Sequence, residues 1–359
     1  MFLTLAIILL LVGCVSQPIR LQPEIIESVT PFLSTATLSK TNTPSPSIKI
    51  TNLVDLLEPA SLNLQKPLPD NLIIDIYRMN RPVMVDEVGY DQVLEQLGMR
   101  SHWPESHLSP RSDQQQEELF DASNASLVPL GCYLKNNGKD NRYPFSLYCQ
   151  EKAIVINVYL VSPVYVNQSK TDFVVTVMQQ QEGIMIAHKG GVETLIPDDW
   201  SQANAQYFGN QEITVHLEQG QNNQKVVSVN LDKKIVYQMK AEKYVQKPII
   251  GLWTYDSHWA LEVVNTIVID GISINNSKGY QKSYEFHLLN SKPLFFFEKE
   301  GKIGLNYDGS EIDLRGDIVP HYNCCSSSLL NPRQWRDVLI FFMNKDNRWY
   351  YIEVAEKES

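Results

Sequence analysis

No apolar run in this chain is long enough to cross a bilayer as a helix, which takes about 20 residues, so the body of the protein is expected to be soluble. A clustered basic face is also missing. The 31 Lys and Arg are outnumbered by 41 Asp and Glu, for a formal net charge of -10, and neither sign is blocked. Such a surface argues against nucleic acid as a partner, which would call for concentrated positive charge. There is no Gly-rich phosphate loop and no dinucleotide fingerprint, so no cofactor is expected. Cysteine is scarce, with Cys14, Cys132, Cys149, Cys324 and Cys325 as the full set of 5. No Lys or Arg precedes Cys14, and none gathers just after it, so attraction to anionic lipid should add little there.

What the chain does have begins at its first residues. The mostly apolar run Met1–Leu11 is followed by Leu11-Val12-Gly13-Cys14. A run of roughly 7–15 apolar residues closed by small ones suits a signal-peptide core rather than a spanning helix. Leu-Val-Gly-Cys resembles the lipobox of bacterial lipoproteins. That resemblance implies removal of residues 1–13, lipidation (palmitate among the acyl chains) at Cys14, and anchorage on the extracytoplasmic face of a bacterial membrane. The basic n-region of such signals is the one departure.

Residues 14–50 read as a disordered Ser/Thr/Pro tether, densest in Ser34–Ser47. Such a composition buries too little apolar surface to offset its ordering entropy. Residues 51–125 read as a mixed α/β N-terminal region. There Ile73, Ile74 and Ile76 suggest a strand, Asp91 to Gly98 a capped helix, and Ser112 to Phe120 a polar helix. From 126 to 359 the chain reads as a β-rich domain. Ala153–Val161, Asp172–Met178, Ile213–Leu217 and Lys225–Leu231 carry the β-branched content and alternation of strands. His216 falls on the polar face of its strand and is expected in solvent. Asn331-Pro332 predicts a short helix over 332–338, with a β-hairpin after it.

Polar turns at Gln181-Glu-Gly183, Gln219-Gly-Gln221, Asp256-Ser-His258, Lys299-Glu-Gly301 and Lys345-Asp-Asn347 recur at roughly 40-residue intervals, the size of a four-stranded propeller blade. Two units also share letters. Trp259–Gly271 ends in Asp270-Gly271, and Lys302–Gly309 ends in Asp308-Gly309. Residues 251–319 thereby resemble WD40-like or TolB-type β-propeller repeats, although Asp-Gly is equally a tight hairpin turn. The fold class expected is mainly β: antiparallel hairpin repeats, propeller-like or sandwich, with a few short helices in the N-terminal part.

The four cysteines left after lipidation suit an oxidising exterior, and a disulfide between Cys132 and Cys149 would close a short polar loop. Cys324 and Cys325 permit several readings: a strained vicinal disulfide, a bridge to the other pair, a nucleophile with His321, or inert thiols. Adjacent cysteines fit zinc spacing poorly, and no metal is expected. Ligand-binding candidates are Trp253, Tyr255, Asp256, His258, Trp259 and His321, since aromatics around an Asp and a His can stack on a sugar. The same rings also fill β cores. His102, Glu105 and His107 surround Pro104, which prevents the helix that His-Glu-x-x-His sites use. The pairs Asp86-Glu87 and Asp198-Asp199 read as solvated acids. The expected function is a surface-exposed, lipid-anchored binding or envelope-associated protein without catalytic activity. Its partners would be the membrane, through Cys14, and an envelope glycan, peptide or protein. The alternative is an extracytoplasmic hydrolase with a site near Asp256, His258, Asp317 and His321.

Overall fold

Among the described residues, the first long strand pairs with the last. β1 (Glu58–Pro59) lies beside β2 (Leu72–Met79), and β2 runs antiparallel to the terminal strand, with Leu72 opposite Glu356 and Met79 opposite Trp349. A computed structural model of the chain describes residues 58–62, 64, 68–79, 112–138, 144–179, 183–196, 203–219, 224–242, 245, 248–323, 330–335 and 338–357. All of them fall in one compact unit, Lys49–Ser359.

Helix α1 (Ser112–Leu127) opens the next section and docks on the sheet that follows it. Phe120 stacks on Phe145 at 5.2 Å, and the Asn124 side chain accepts from the Leu134 amide at 2.7 Å. That sheet runs through β3 (Cys132–Asn136), β4 (Phe145–Cys149), β5 (Lys152–Leu160), β7 (Phe173–Gln179), β8 (Gly183–His188) and β9 (Gly191–Ile196), with β6 (Tyr165–Val166) paired to β7. Three four-stranded meanders follow. The first is β10 (Ala203–Phe208), β11 (Gln211–Gln219), β12 (Lys225–Leu231) and β13 (Lys234–Lys240). The second is β14 (Ile249–Tyr255), β15 (His258–Val263), β16 (Thr266–Ile269) and β17 (Ile272–Ser273). After helix α2 (Ile274–Lys278) comes the third: β18 (Lys282–Leu289), β19 (Lys292–Lys299), β20 (Lys302–Tyr307) and β21 (Ser310–Gly316). The last sheet is β22 (Arg333–Trp335), β23 (Val338–Lys345) and β24 (Arg348–Glu356), completed by β2 and β1.

Local sequence explains the meanders. Asp232-Lys233, Asn290-Ser291, Asp308-Gly309 and Asp346-Asn347 each occupy a two-residue hairpin loop with positive φ at both positions. Type I′ turns need that geometry, and Asp, Asn and Gly tolerate it best. Of the polar turns singled out in the sequence, residues 181–182 and 220–221 lie outside the described residues; the other three fall between strands, but not always the same pair of a sheet. Asp256-Ser257 joins β14 to β15, whereas Glu300-Gly301 joins β19 to β20. The two letter-alike units share one turn: Asp270-Gly271 and Asp308-Gly309 both lead from the third strand of a meander to the fourth, although Trp259 lies in a second strand and Lys302 opens a third.

Core clusters sit between successive sheets. Leu217, Val227, Leu252, Trp259 and Leu261 join the β10–β13 and β14–β17 sheets. Tyr255, Ala260, Phe286, Phe295 and Phe297 join the latter to β18–β21. Phe296, Leu305, Leu314, Phe341, Ile352 and Leu72 join β18–β21 to the last sheet. Consecutive face-to-face packing of meanders, with the last sheet completed by early strands, is propeller-like rather than a sandwich of two sheets.

One local expectation fails. Residues 333–335 form β22 instead of a helix over 332–338, with Arg333 opposite Ile340 and Gln334 opposite Leu339. Asn331-Pro332 is a sound cap signal, but pairing with the strand of the predicted hairpin satisfies the backbone and overrides it. Asn331 instead exchanges hydrogen bonds with the Asn323 backbone, at 2.9 and 3.0 Å.

Candidate functional site

Hairpin β14–β15 carries most of the sequence candidates, and the packing of its two faces separates them. Trp253 lies half-buried across the backbone of Gly251, where an added Cβ would meet the ring at 2.2 Å. It packs on Phe286 with centroids 4.9 Å apart. Tyr255 is buried against Phe286 and His258, and burial followed by the nearby Asp270 pushes its hydroxyl up to about 12. Trp259 is buried on the opposite face, against Tyr237. Asp256 sits exposed in the turn at positive φ. These aromatics are mostly core between sheets.

His258 is exposed, and its Nδ1 lies 2.5 Å from Asp270 Oδ2. The other oxygen of Asp270 accepts from the Trp259 amide at 3.0 Å. One carboxylate therefore ties two adjacent hairpins together. His216, expected in solvent, is instead half-buried and paired with Glu218 at 2.8 Å across its strand face. Asp317 is engaged by Lys302 and accepts from the Asp346 amide at 2.7 Å.

His321 belongs to a different constellation, one centred on a residue that the sequence reading did not single out. Glu262 on β15 is 1% exposed. Its carboxylate accepts the amides of Glu285 and Phe286, each at 2.7 Å, and the hydroxyl of Tyr322. A bulge in β18 between Tyr284 and His287 aims both amides at Glu262, with Glu285 at positive φ. Desolvation outweighs these donors and lifts the Glu262 carboxyl to about 7. Beside it, His321 stacks on Tyr284 at 3.8 Å and meets Tyr322 edge-on at 4.8 Å. Its Nδ1 lies 2.8 Å from the Val319 carbonyl, so that nitrogen donates and the ring is held as one tautomer. Burial lowers the His321 pKa and favours the neutral ring. The only signal for Glu262 in sequence was an acid amid the apolar run Trp259–Val264.

The β18–β21 sheet carries a depression of about 470 Å³, lined by Phe297, Lys299, Lys302, Gly304, Glu311, Asp313 and Arg315 among others. Phe297 lies directly across Gly304, and a Cβ there would meet the ring at 2.3 Å. Tyr280 stacks on Phe297 at 4.3 Å and donates to Glu311 at 2.8 Å. Lys299–Glu311 and Arg315–Asp313 are paired at 3.8 and 3.2 Å, leaving both signs at the rim. A volume of this order lies within the usual range for ligand clefts.

Cys132 and Cys149 face each other across β3–β4 and are bridged, with an S–S distance of 2.09 Å. No group of three His, Cys, Asp or Glu suited to a metal ion occurs among the described residues. Cys14, the tether, Asp86-Glu87, Asp91–Gly98, His102, Glu105, His107, Asp198-Asp199 and the Cys324-Cys325 pair lie outside the described residues. The hydrolase candidates thus divide by partner. His258 is held by Asp270, Asp317 by Lys302, and His321 by Tyr284 and Val319.

No protein-family model matches the sequence, and no curated protein matches it. Solved structures similar to parts of the chain include Kluyveromyces lactis Hsv2, at 12% identity and TM-score 0.26 over 53% of this chain and 58% of that one. Another is the β-propeller domain of the Trilobed protease from Pyrococcus furiosus, at 8% and 0.25 over 63% and 92%. Pyrococcus horikoshii acylaminoacyl peptidase gives 12% and 0.29 over 64% and 44%. This chain matches only about three fifths of the length of Hsv2 and less than half of the peptidase. Likeness at this level assigns neither a family nor an activity.

Proposed function

We propose that this chain is a lipid-anchored binding protein displayed on the extracytoplasmic face of a bacterial membrane. The observation that carries the binding reading is the depression over Gly304, where an aromatic floor meets cations and anions at one rim. Such a lining suits a peptide or protein segment that offers both charge signs around an apolar side chain. Anchorage rests on Leu11-Val12-Gly13-Cys14, and the Cys132–Cys149 bridge supports an oxidising compartment.

Two experiments test the reading. In a bacterial host, the chain should incorporate labelled palmitate and sediment with membranes, and Cys14→Ala should abolish both. Retention of the label in that variant would remove the anchor from the proposal. For binding, photocrosslinking from the depression in intact cells should capture an envelope peptide or protein. The charge removals Lys302→Gln and Arg315→Gln should weaken its capture at least tenfold, while Tm falls only by what a lost surface ion pair costs. Unchanged capture would move the binding face elsewhere.

A further inference from the structure

The seam between the β7–β9 strands and the β10–β13 sheet is built unlike the three that follow it. Those are filled by the apolar clusters around Leu252, Phe286 and Phe341. Here the buried apolar contact is Val174 and Ile186 against Ala205, with Tyr165 and Tyr207 packed beside them. Strand alternation sets Thr176 on the same face as Val174, and Thr214, His216, Ser228, Asn230 and Gln238 on the same face as Ala205. Thr176 and Ser228 are fully buried. Gln238 donates to Ser228 at 2.9 Å, yet Thr176 Oγ1 and Asn230 Oδ1 are buried with no hydrogen-bond partner.

Direct bonds between the two sheets concentrate at one end, beside the β8–β9, β10–β11 and β12–β13 turns. The Gln168 amide donates to the Gly209 carbonyl at 3.0 Å, and the Ser169 amide to the Asn210 side chain at 2.8 Å. His188 lies 3.6 Å from Glu212, and Lys233 is paired with Glu193 at 2.8 Å. His216, toward the opposite end, bonds within its own sheet, to Glu218 at 2.8 Å.

We propose that this seam is a hinged crevice, which opens at the His216 end while the turn-end bonds hold and neither sheet unfolds. Parting two sheets is resisted chiefly by the apolar surface that water would meet. Val174, Ile186 and Ala205 offer little of it, and entering water supplies the partners that Thr176 and Asn230 lack. Such an opening stands at the low end of the range between fraying and global unfolding. The ladder hydrogen bonds of both sheets survive it, so access of a reagent to the seam reports it and amide exchange does not.

Thiol labelling of the full-length chain tests this. Thr176→Cys and Ser228→Cys place a thiol on each face of the seam, and Ala260→Cys places one in the apolar seam between β14–β17 and β18–β21. Rates of reaction with a maleimide are read site by site by mass spectrometry and normalised to the unfolded chain. Both crevice thiols should react at least about tenfold faster than the reference at Ala260→Cys, with little dependence on urea below the unfolding transition. The reference rate should rise steeply with urea, because it needs the whole fold to open. Lys233→Gln, which removes one exposed ion pair at the hinge end, should speed labelling at Ser228→Cys about two- to fivefold and leave Ala260→Cys unchanged. Should either crevice variant fail to fold, the other, from the facing sheet, decides. Equal rates at all the sites, or a urea dependence in the crevice as steep as that of the reference, would overturn the opening. An unchanged rate in Lys233→Gln would overturn the hinge.

Discussion

Asn71 and Glu356, 285 positions apart in sequence, are joined by a 2.6 Å hydrogen bond where the early strand meets the terminal one. Glu356 also accepts from Asn290 at 2.6 Å, from Lys292 at 2.7 Å and from the Tyr307 hydroxyl. One carboxylate therefore fastens the closing strand pair and the preceding sheet. Glu356→Ala should cost about 2–3 kcal/mol, because it leaves several charge-assisted donors without their acceptor. Urea denaturation at pH 7 measures it.

The same residue sets an acid limit. Burial tends to raise the Glu356 carboxyl, but bonds from Lys292, Asn290 and Asn71 outweigh it and hold the group below its ordinary value. The folded state then binds fewer protons than the unfolded, so stability rises with pH across the carboxylate range. The contribution is complete above the ordinary value and disappears as pH falls through the lowered one. Glu356→Gln should show a smaller stability difference between pH 3 and 7 than the wild type.

Reduction of Cys132–Cys149, which are 17 positions apart, should cost about 3 kcal/mol in the chain-entropy model. Both residues are buried among Leu134, Phe145 and Leu147, so reduction tests the bond without opening a cavity. Thermal unfolding with and without a phosphine reductant reads it. An unchanged midpoint would mean that the bridge adds nothing to the fold.

Gly251→Ala and Gly304→Ala should each destabilise by about 1–3 kcal/mol, since the added Cβ would enter the Trp253 or Phe297 ring. Gly304→Ala should also weaken capture at the proposed binding face, whereas Gly251→Ala should not. Paired stability and crosslinking measurements separate the two effects.

Asp270→Ala should lower stability by about 1–2 kcal/mol through the lost bond to the Trp259 amide. The exposed His258 contributes a surface pair worth less than about 0.5 kcal/mol, so His258→Ala should be near neutral. A large loss in the histidine variant would mean that His258 has a role other than this contact.

Strand identity was largely legible because period-2 runs such as Ile213–Leu217 and Lys225–Leu231 need one buried face, whatever their neighbour. Turn chemistry was legible for the same local reason: Asp308-Gly309 and Asp346-Asn347 tolerate the left-handed backbone by themselves. Local signals failed where pairing competed with them, as when Asn331-Pro332 preceded a strand instead of a helix. Among the candidate residues, His321 was visible as a residue type, but its neighbours Glu262, Tyr284 and Tyr322 carry no shared spacing that would have marked them.

By itself, then, the sequence determined the lipobox-like motif, the acidic character, the abundance of antiparallel hairpins and the positions of their turns. All of these follow from covalent order and short-range backbone preference. Tertiary structure alone decided that β2 belongs with β24, that Trp259 and Tyr255 are packing residues, and that Glu262 is a buried hub. The packing of Phe297 onto Gly304 beside charged residues was decided there too. The physical reason is that burial and hydrogen-bond partnership depend on which sheets come face to face, and those partners are contributed by positions far apart along the chain.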